Sequence, residues 1–247
     1  VFNSTFSSNE VANTGGAIYS YGTPLVIVRN SVIWGNTNGV TTSPIDNSTA
    51  IQVTHSIVQG GYTGTGNVQT NPLFKREAPI GLGQLGDLRL LACSPGVNTG
   101  SNAGVPAGIS IELRSLSRIA GVAVDMGAYE RPSNTPPAVI FVDAAASGLN
   151  DGTSWANAYT SLQDALRDLN NCGSGVTPTI HIARGTYTIP AGLNLVLDKV
   201  NAFLLGGFPA IGGVRVRNPE ANPVIIKGSF QVLKNATVDG VKLESGQ

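Results

Sequence analysis

Charge is scarce in this chain. Asp, Glu, Lys and Arg make up 12% of 247 residues, 15 acidic and 15 basic, so the formal net charge is zero. A phosphate-binding surface needs clustered lysine and arginine, which speaks against nucleic acid as a partner. The same balance offers no electrostatic hold on an anionic membrane. No apolar run approaches the roughly 18 residues of a membrane span, so membrane insertion by this segment is not expected. Val1 to Phe6 lack the basic and apolar regions of a secretion signal, as a mature product or a piece of a longer protein would. Methionine occurs once, and the two cysteines, Cys93 and Cys172, are too few for a disulfide framework and not spaced for zinc.

What the chain has instead is turn formers and β formers. Gly (31) and Pro (14) make up about 18% of it, above the usual ~12%. Asn, Ser, Thr, Val and Ile are abundant. Such a composition favours many short strands separated by turns. Arg131-Pro132-Ser133-Asn134-Thr135-Pro136-Pro137 carries three prolines without apolar periodicity and reads as a stiff linker, residues 131–137. It separates residues 1–130, which read as the close of one fold, from residues 138–247, which read as the opening of another.

The first 60 residues repeat. Asn3-Ser4-Thr5-Phe6-Ser7-Ser8-Asn9 matches Asn30-Ser31-Val32-Ile33-Trp34-Gly35-Asn36 at an offset of 27, and His55-Ser56-Ile57-Val58 follows 25 further on. A unit of about 25 residues cannot bury its apolar face alone, whereas stacking through parallel in-register pairing does so. The expected fold class is therefore all-β: a right-handed parallel β-helix, or solenoid, with a short capping α-helix. Asn3 and Asn30 are expected either to shape the corners or to form a ladder of side-chain amides along the stack. From Asn67 onward, looser strands broken by Pro and Gly read as a closing segment over the last turn.

In the second half, Ile140-Phe141-Val142-Asp143 reads as a strand. Thr160 or Ser161 can cap a helix from Leu162 to Leu169 with Leu162, Ala165, Leu166 and Leu169 on one face, stopped by Gly173 and Gly175. Short apolar strands recur from Thr179 to Leu243.

As a set, several motifs resemble a family. Phe141-Val142-Asp143, Asp151-Gly152-Thr153-Ser154-Trp155, Leu162-Gln163-Asp164-Ala165-Leu166, Ala183-Arg184-Gly185-Thr186-Tyr187 and Gly206-Gly207-Phe208-Pro209 are similar to the opening of large secreted, right-handed parallel β-helix surface proteins of Bacteroidetes-type bacteria. Asn71-Pro72-Leu73-Phe74, Ser94-Pro95-Gly96-Val97-Asn98-Thr99-Gly100 and Asp125-Met126-Gly127-Ala128-Tyr129-Glu130 resemble the closing segment of that family, often labelled a choice-of-anchor domain. The resemblance implies an extracellular location at the bacterial cell surface and a structural role for Trp155. The order is inverted, with the close preceding the opening. Seven linker residues span at most ~25 Å, while several turns at ~4.8 Å each plus two caps are longer. The expectation is a unit of a surface fibre or adhesin whose partners are copies of itself, head to tail, with surface glycans as a further class.

Chemistry is expected to be absent: the chain is read as no enzyme and as having no cofactor. The alternative is a carbohydrate-active β-helix enzyme, polysaccharide lyase or hydrolase, or a carbohydrate-binding module. Its carboxylates would come from Asp143, Asp151, Asp239 and Glu244, its base or charge clamp from Lys242, Arg215 or Arg217, and His55 and His181 sit in strand-like stretches. Asp143 and Asp151 are also weak calcium candidates, against a plain hydrogen-bonded turn. Tyr19, Tyr21, Trp34 and Tyr62 offer either a sugar-stacking stripe or corner packing. Cys93 and Cys172 lie at the two caps, open to a disulfide or to two buried thiols.

Overall fold

The computed structural model describes residues 1–12, 15–22, 25–37, 45–46, 50–77, 86–171, 179–210 and 215–245. The chain is mostly β, with parallel sheets and one α-helix among the described residues. It divides into two compact units, Val1–Thr135 and Pro136–Gln247, and the division falls inside the proline-rich segment.

Unit 1 holds strands β1 (Thr5–Ser7), β2 (Ile18–Tyr19), β3 (Val26–Arg29), β4 (Val32–Trp34), β5 (Ile45–Asp46), β6 (Ile51–Thr54), β7 (Ile57–Val58), β8 (Phe74–Arg76) and β9 (Asp87–Leu90). The first seven form three parallel ladders, β1-β4-β7, β2-β5 and β3-β6. Thr5 pairs with Val32 and Val32 with Ile57, which are the offsets of the sequence repeat. Phe2 extends the β3 ladder by a bridge to Arg29. Each ladder is thus visited once per repeat, in a constant order.

Alternation along the strands splits their side chains between two cores. Phe6, Ile33 and Val58 join Ile18, Val28, Ile45 and Val53 in one cluster. Val32 and Ile57, one residue earlier, face Phe74, Leu90, Val97 and Met126 of the closing segment. That segment begins with the antiparallel pair β8–β9.

Corners between the β3 and β4 ladders are the most regular feature. Asn3, Asn30 and His55 each have positive φ, 47°, 50° and 49°. Asparagine adopts this region more readily than most residues. The corner reading of Asn3 and Asn30 therefore holds, and the expected amide ladder between them does not form. Asn30 turns its amide to the closing segment: Oδ1 accepts from Ser101 N–H at 2.8 Å and Nδ2 donates to Ser101 C=O at 3.0 Å. The polar ladder sits one residue on, where Ser31 Oγ accepts from Ser4 N–H and Ser56 Oγ from Ser31 N–H. An amide pair does occur, at Asn9 and Asn36, with Asn9 Nδ2 donating to Asn36 Oδ1 at 2.8 Å. His55, expected in a strand, is a corner instead.

Unit 2 holds β10 (Val139–Val142), the helix α1 (Leu162–Asn171), then β11 (Thr179–Ala183), β12 (Gly185–Thr188), β13 (Asn194–Leu197), β14 (Ala202–Phe208), β15 (Val224–Lys227), β16 (Ser229–Val232), β17 (Ala236–Asp239) and β18 (Val241–Glu244). Its ladders are β10-β11-β14-β17, β12-β15-β18 and β13-β16, all parallel. From Ala236 to Glu244 the sequence pattern runs on, but Gly240 at φ 68° breaks it into β17 and β18. A Cβ there would lie 2.6 Å from the Gly206 carbonyl oxygen, so only glycine fits.

Helix α1 starts where expected: Ser161 Oγ accepts from Asp164 N–H, and Asp164 in the first turn suits the helix dipole. Leu162, Ala165, Leu166 and Leu169 are buried in the unit 2 core with Ile140, Ile180, Leu195 and Leu204. The glycines proposed to stop it, Gly173 and Gly175, lie outside the described residues. One buried face residue is polar. Asp168 accepts from Tyr159 Oη at 2.6 Å, both groups essentially inaccessible. Tyr159→Phe removes one donor from a buried carboxylate and should cost unit 2 about 1–3 kcal/mol in urea unfolding.

Candidate functional site

The densest chemistry in unit 2 lies on the outward face of the β10-β11-β14-β17 sheet. Ile140, Ile180 and Leu204 point into the core. Their neighbours Phe141, His181 and Leu205 therefore form an outward row, in register with Asp239. The loop after β10 carries Trp155 over this row, 4.8 Å from the Phe141 ring and 5.3 Å from that of Phe208. His181 stacks on Phe208 at 4.4 Å. Arg215 lies 4.2 Å above the Trp155 ring and donates to Asp143 Oδ2 at 2.6 Å, both side chains nearly buried. Arg217 pairs with Asp239 and donates to the Gly206 carbonyl. Burial, helped by the Arg217 charge, lowers the His181 pKa, so the imidazole is neutral near pH 7.

These contacts assign most of the residues singled out by sequence. Trp155 packs against Phe141, Phe208 and Arg215. Asp143 already has a cation in Arg215, and its other oxygen accepts from Ala145 N–H. Asp151 caps its own turn through the Thr153 N–H and hydroxyl. The two calcium candidates are thus held in separate hydrogen-bonded arrangements, and among the described residues no group of three or more His, Cys, Asp or Glu could hold a metal. Glu244 pairs with Lys242 and Lys227. The four aromatic residues of the proposed stripe divide: Trp34 packs with the closing-segment core and Tyr62 with the inner core, while Tyr19 and Tyr21 are exposed. Cys93 is disulfide-bonded. Cys172 lies outside the described residues.

The closing segment holds a charge cluster that sequence reading missed. Arg118, buried, donates through Nε to Glu130 Oε1 at 3.0 Å and through Nη1 to the Ala128 carbonyl. Asp125, fully buried, accepts from Asn98 N–H at 2.7 Å and Arg131 N–H at 2.6 Å. Glu130 also accepts from Asp125 N–H. Desolvation, with the nearby Glu130 charge, pushes Asp125 up to about 7. Burial likewise raises Glu130 despite Arg118. Asp125, set between the apolar Val124 and Met126, gives the sequence hint, whereas Arg118 comes from 12 residues before Glu130 with no motif linking them.

A surface groove of about 1120 Å³ runs along unit 2 between the Thr188–Asn194 loop and the Lys227–Ser229 and Glu244–Ser245 corners. Its lining is mixed: Ile189, Pro190 and Leu193 beside three hydroxyls, one amide and the Lys227–Glu244 pair. Among the described residues, no helix is long and apolar enough to cross a membrane. Searches against protein-family models, curated proteins and solved structures found no match to this chain.

Proposed function

We propose that this chain is a structural unit of an extracellular bacterial surface fibre or adhesin, built as a right-handed parallel β-helix and extended head to tail by copies of itself. Unit 1 is the far part of such a helix with its closing segment, and unit 2 is its capped beginning. The resemblance to secreted β-helix surface proteins of Bacteroidetes-type bacteria points the same way.

The observation that carries the reading is the ladder order. In unit 1, and in unit 2 from β11 onward, three parallel ladders are visited in a constant cycle, and stacking of that kind continues wherever an edge is left unpaired. Among the described residues β1 has a ladder partner on one side only, as do β17 and β18. Unprotected edges of parallel sheets are templates for further pairing. The candidate carboxylates and arginines fit a load-bearing role, since Asp143, Asp239 and Glu244 are each engaged by a basic side chain. Mass measurement with and without reductant tests the disulfide at Cys93.

A second reading, a carbohydrate-binding module or carbohydrate-active enzyme, is favoured by the groove of mixed apolar and polar lining beside Lys227 and Glu244. Electron microscopy of purified chain and of native material decides between them. Filaments with a uniform axial repeat are expected. Dispersed particles that bind an immobilised polysaccharide would establish the second reading.

A further inference from the structure

The corners of the two units share a motif at one place in the ladder cycle. In unit 2, Asn201-Ala202-Phe203-Leu204-Leu205 and Asn235-Ala236-Thr237-Val238-Asp239 lead from the β13-β16 ladder into β14 and β17. In unit 1, Asn3-Ser4-Thr5-Phe6-Ser7 and Asn30-Ser31-Val32-Ile33-Trp34 lead from the β3 ladder into β1 and β4. Asparagine, a small residue, a variable residue and an apolar residue recur in that order. The apolar fourth position packs inward every time: Leu204 and Val238 with the unit 2 core, Phe6 and Ile33 with the inner core of unit 1. Asn201 has φ 57°, like Asn3 and Asn30.

Within each unit these corners stack on one another. Ala202 pairs with Ala236, and Thr5 with Val32. Among the described residues β17 in one unit and β1 in the other have a ladder partner on one side only, and both edges are incomplete. Nδ2 and Oδ1 of Asn3 are both buried and have no hydrogen-bond partner. A buried amide without partners is costly, and Asn30 in the same setting makes two bonds. Asn235 is exposed, and its backbone carbonyl accepts from Asn201 N–H. Apolar side chains near each edge remain exposed: Val1 and Phe2 on one, Val232, Leu233 and Leu243 on the other.

We infer that β17 of one copy pairs in parallel with β1 of a second copy, in the register that sets Asn235 beside Asn3, Val238 beside Phe6 and Asp239 beside Ser7. This rests on the head-to-tail reading and specifies its joint. Inward parity restricts the register to even slips, because a one-residue slip would turn Val238 outward. The corner motif selects one among these. Asn3, rotated toward the added strand, then meets the Asn235 amide as Asn9 meets Asn36 within unit 1. Continuing the cycle, β18 adds to the β2 ladder and β16 to the ladder begun by Phe2.

The test uses two full-length variants, Ser7→Cys and Asp239→Cys, mixed and treated with a mild oxidant or a short thiol cross-linker. Adjacent parallel strands lie ~4.8 Å apart, while a two-residue slip separates the pair by roughly 8 Å, beyond disulfide reach. Ser7→Cys should join Asp239→Cys about ten-fold more than it joins Thr237→Cys. Asn235→Ala, a change at an exposed side chain, should lower that yield several-fold. Association without this preference overturns the register and leaves the head-to-tail reading standing. Cross-linking confined to single chains carrying both cysteines, at high dilution, overturns the joint between copies. Chains that never associate overturn the joint and the fibre reading together.

Discussion

Arg118→Met should destabilise unit 1 by about 3–5 kcal/mol at neutral pH, the usual cost of breaking a buried ion pair from one side. Arg118 is the guanidinium hydrogen-bonded to Glu130, and its charge also reaches Asp125, which is fully buried. Methionine preserves much of the volume, so the loss measures charge rather than packing. Without Arg118, Glu130 keeps the Asp125 N–H as a donor but has no cation, and any charge the two acids carry is left uncompensated in a buried site. The deficit should shrink markedly by about pH 4, where both carboxyls are protonated in the variant. Urea unfolding of both proteins at pH 7.5 and pH 4.5 reads this directly. Equal deficits at the two pH values would mean that Arg118 acts through packing alone.

The same cluster sets a pH dependence in the unaltered chain. The folded pKa of Asp125, about 7, stands above its ordinary value of 3.8. The fold therefore favours the protonated acid. Its contribution is fully present below pH 3.8 and is lost as pH rises through about 7. Three pK units correspond to a ceiling of about 4 kcal/mol. Glu130, raised as well, acts with the same sign. Asp87 opposes them: burial works to raise it, but the Arg89 hydrogen bond and charge hold it below the usual carboxylate range. Its stabilisation is present above pH 3.8 and lost as pH falls through that lowered value, on the acid side of the window in which Asp125 acts. Unit 1 should accordingly be more stable at pH 5 than at pH 8.

How far the sequence foretold these features depends on whether the governing contact is local or periodic. The 27- and 25-residue offsets in unit 1 are the strand register itself, because corners such as Asn30-Ser31 are short and leave no slack. In unit 2 the offsets vary, 24 from Thr179 to Phe203 but 39 from Gly185 to Val224 and 17 from Val224 to Val241. Loops inserted at corners leave the ladders intact while erasing the period, so the strands were legible and their pairing was not. The helix was read from its apolar face, yet buried Asp168 on that face was not, since its partner Tyr159 precedes the helix. The aromatic row of Phe141, His181 and Phe208 escaped notice because its members come from separate strands. Asn3 and Asn30 were recognised as special for a reason only half right. At Asn30 the positive-φ corner aims the amide at the closing segment, and the side chains of Ser31 and Ser56 reach back to the preceding turn instead.

That distinction yields the sharpest contrast between two identical residues. Asn30→Ala should cost unit 1 about 3–5 kcal/mol, from three sources. Ser101 loses the acceptor for its N–H and the donor to its carbonyl at a partly buried site, each worth about 1 kcal/mol when made and more when left unmet. Alanine at φ 50° adds about 1–2 kcal/mol of backbone strain. Asn30→Gly removes the strain and keeps the hydrogen-bond loss, so it should fall between the variant and the parent. Amide exchange at Ser101 should accelerate in both, because the amide clasp holds the segment there. Asn3→Gly in the dispersed chain should be neutral or slightly stabilising, since the Asn3 amide makes no bond that glycine would forfeit. If Asn3→Gly proved as damaging as Asn30→Gly in dispersed chains, the Asn3 amide would already be satisfied within one copy. It would then have nothing to offer a second.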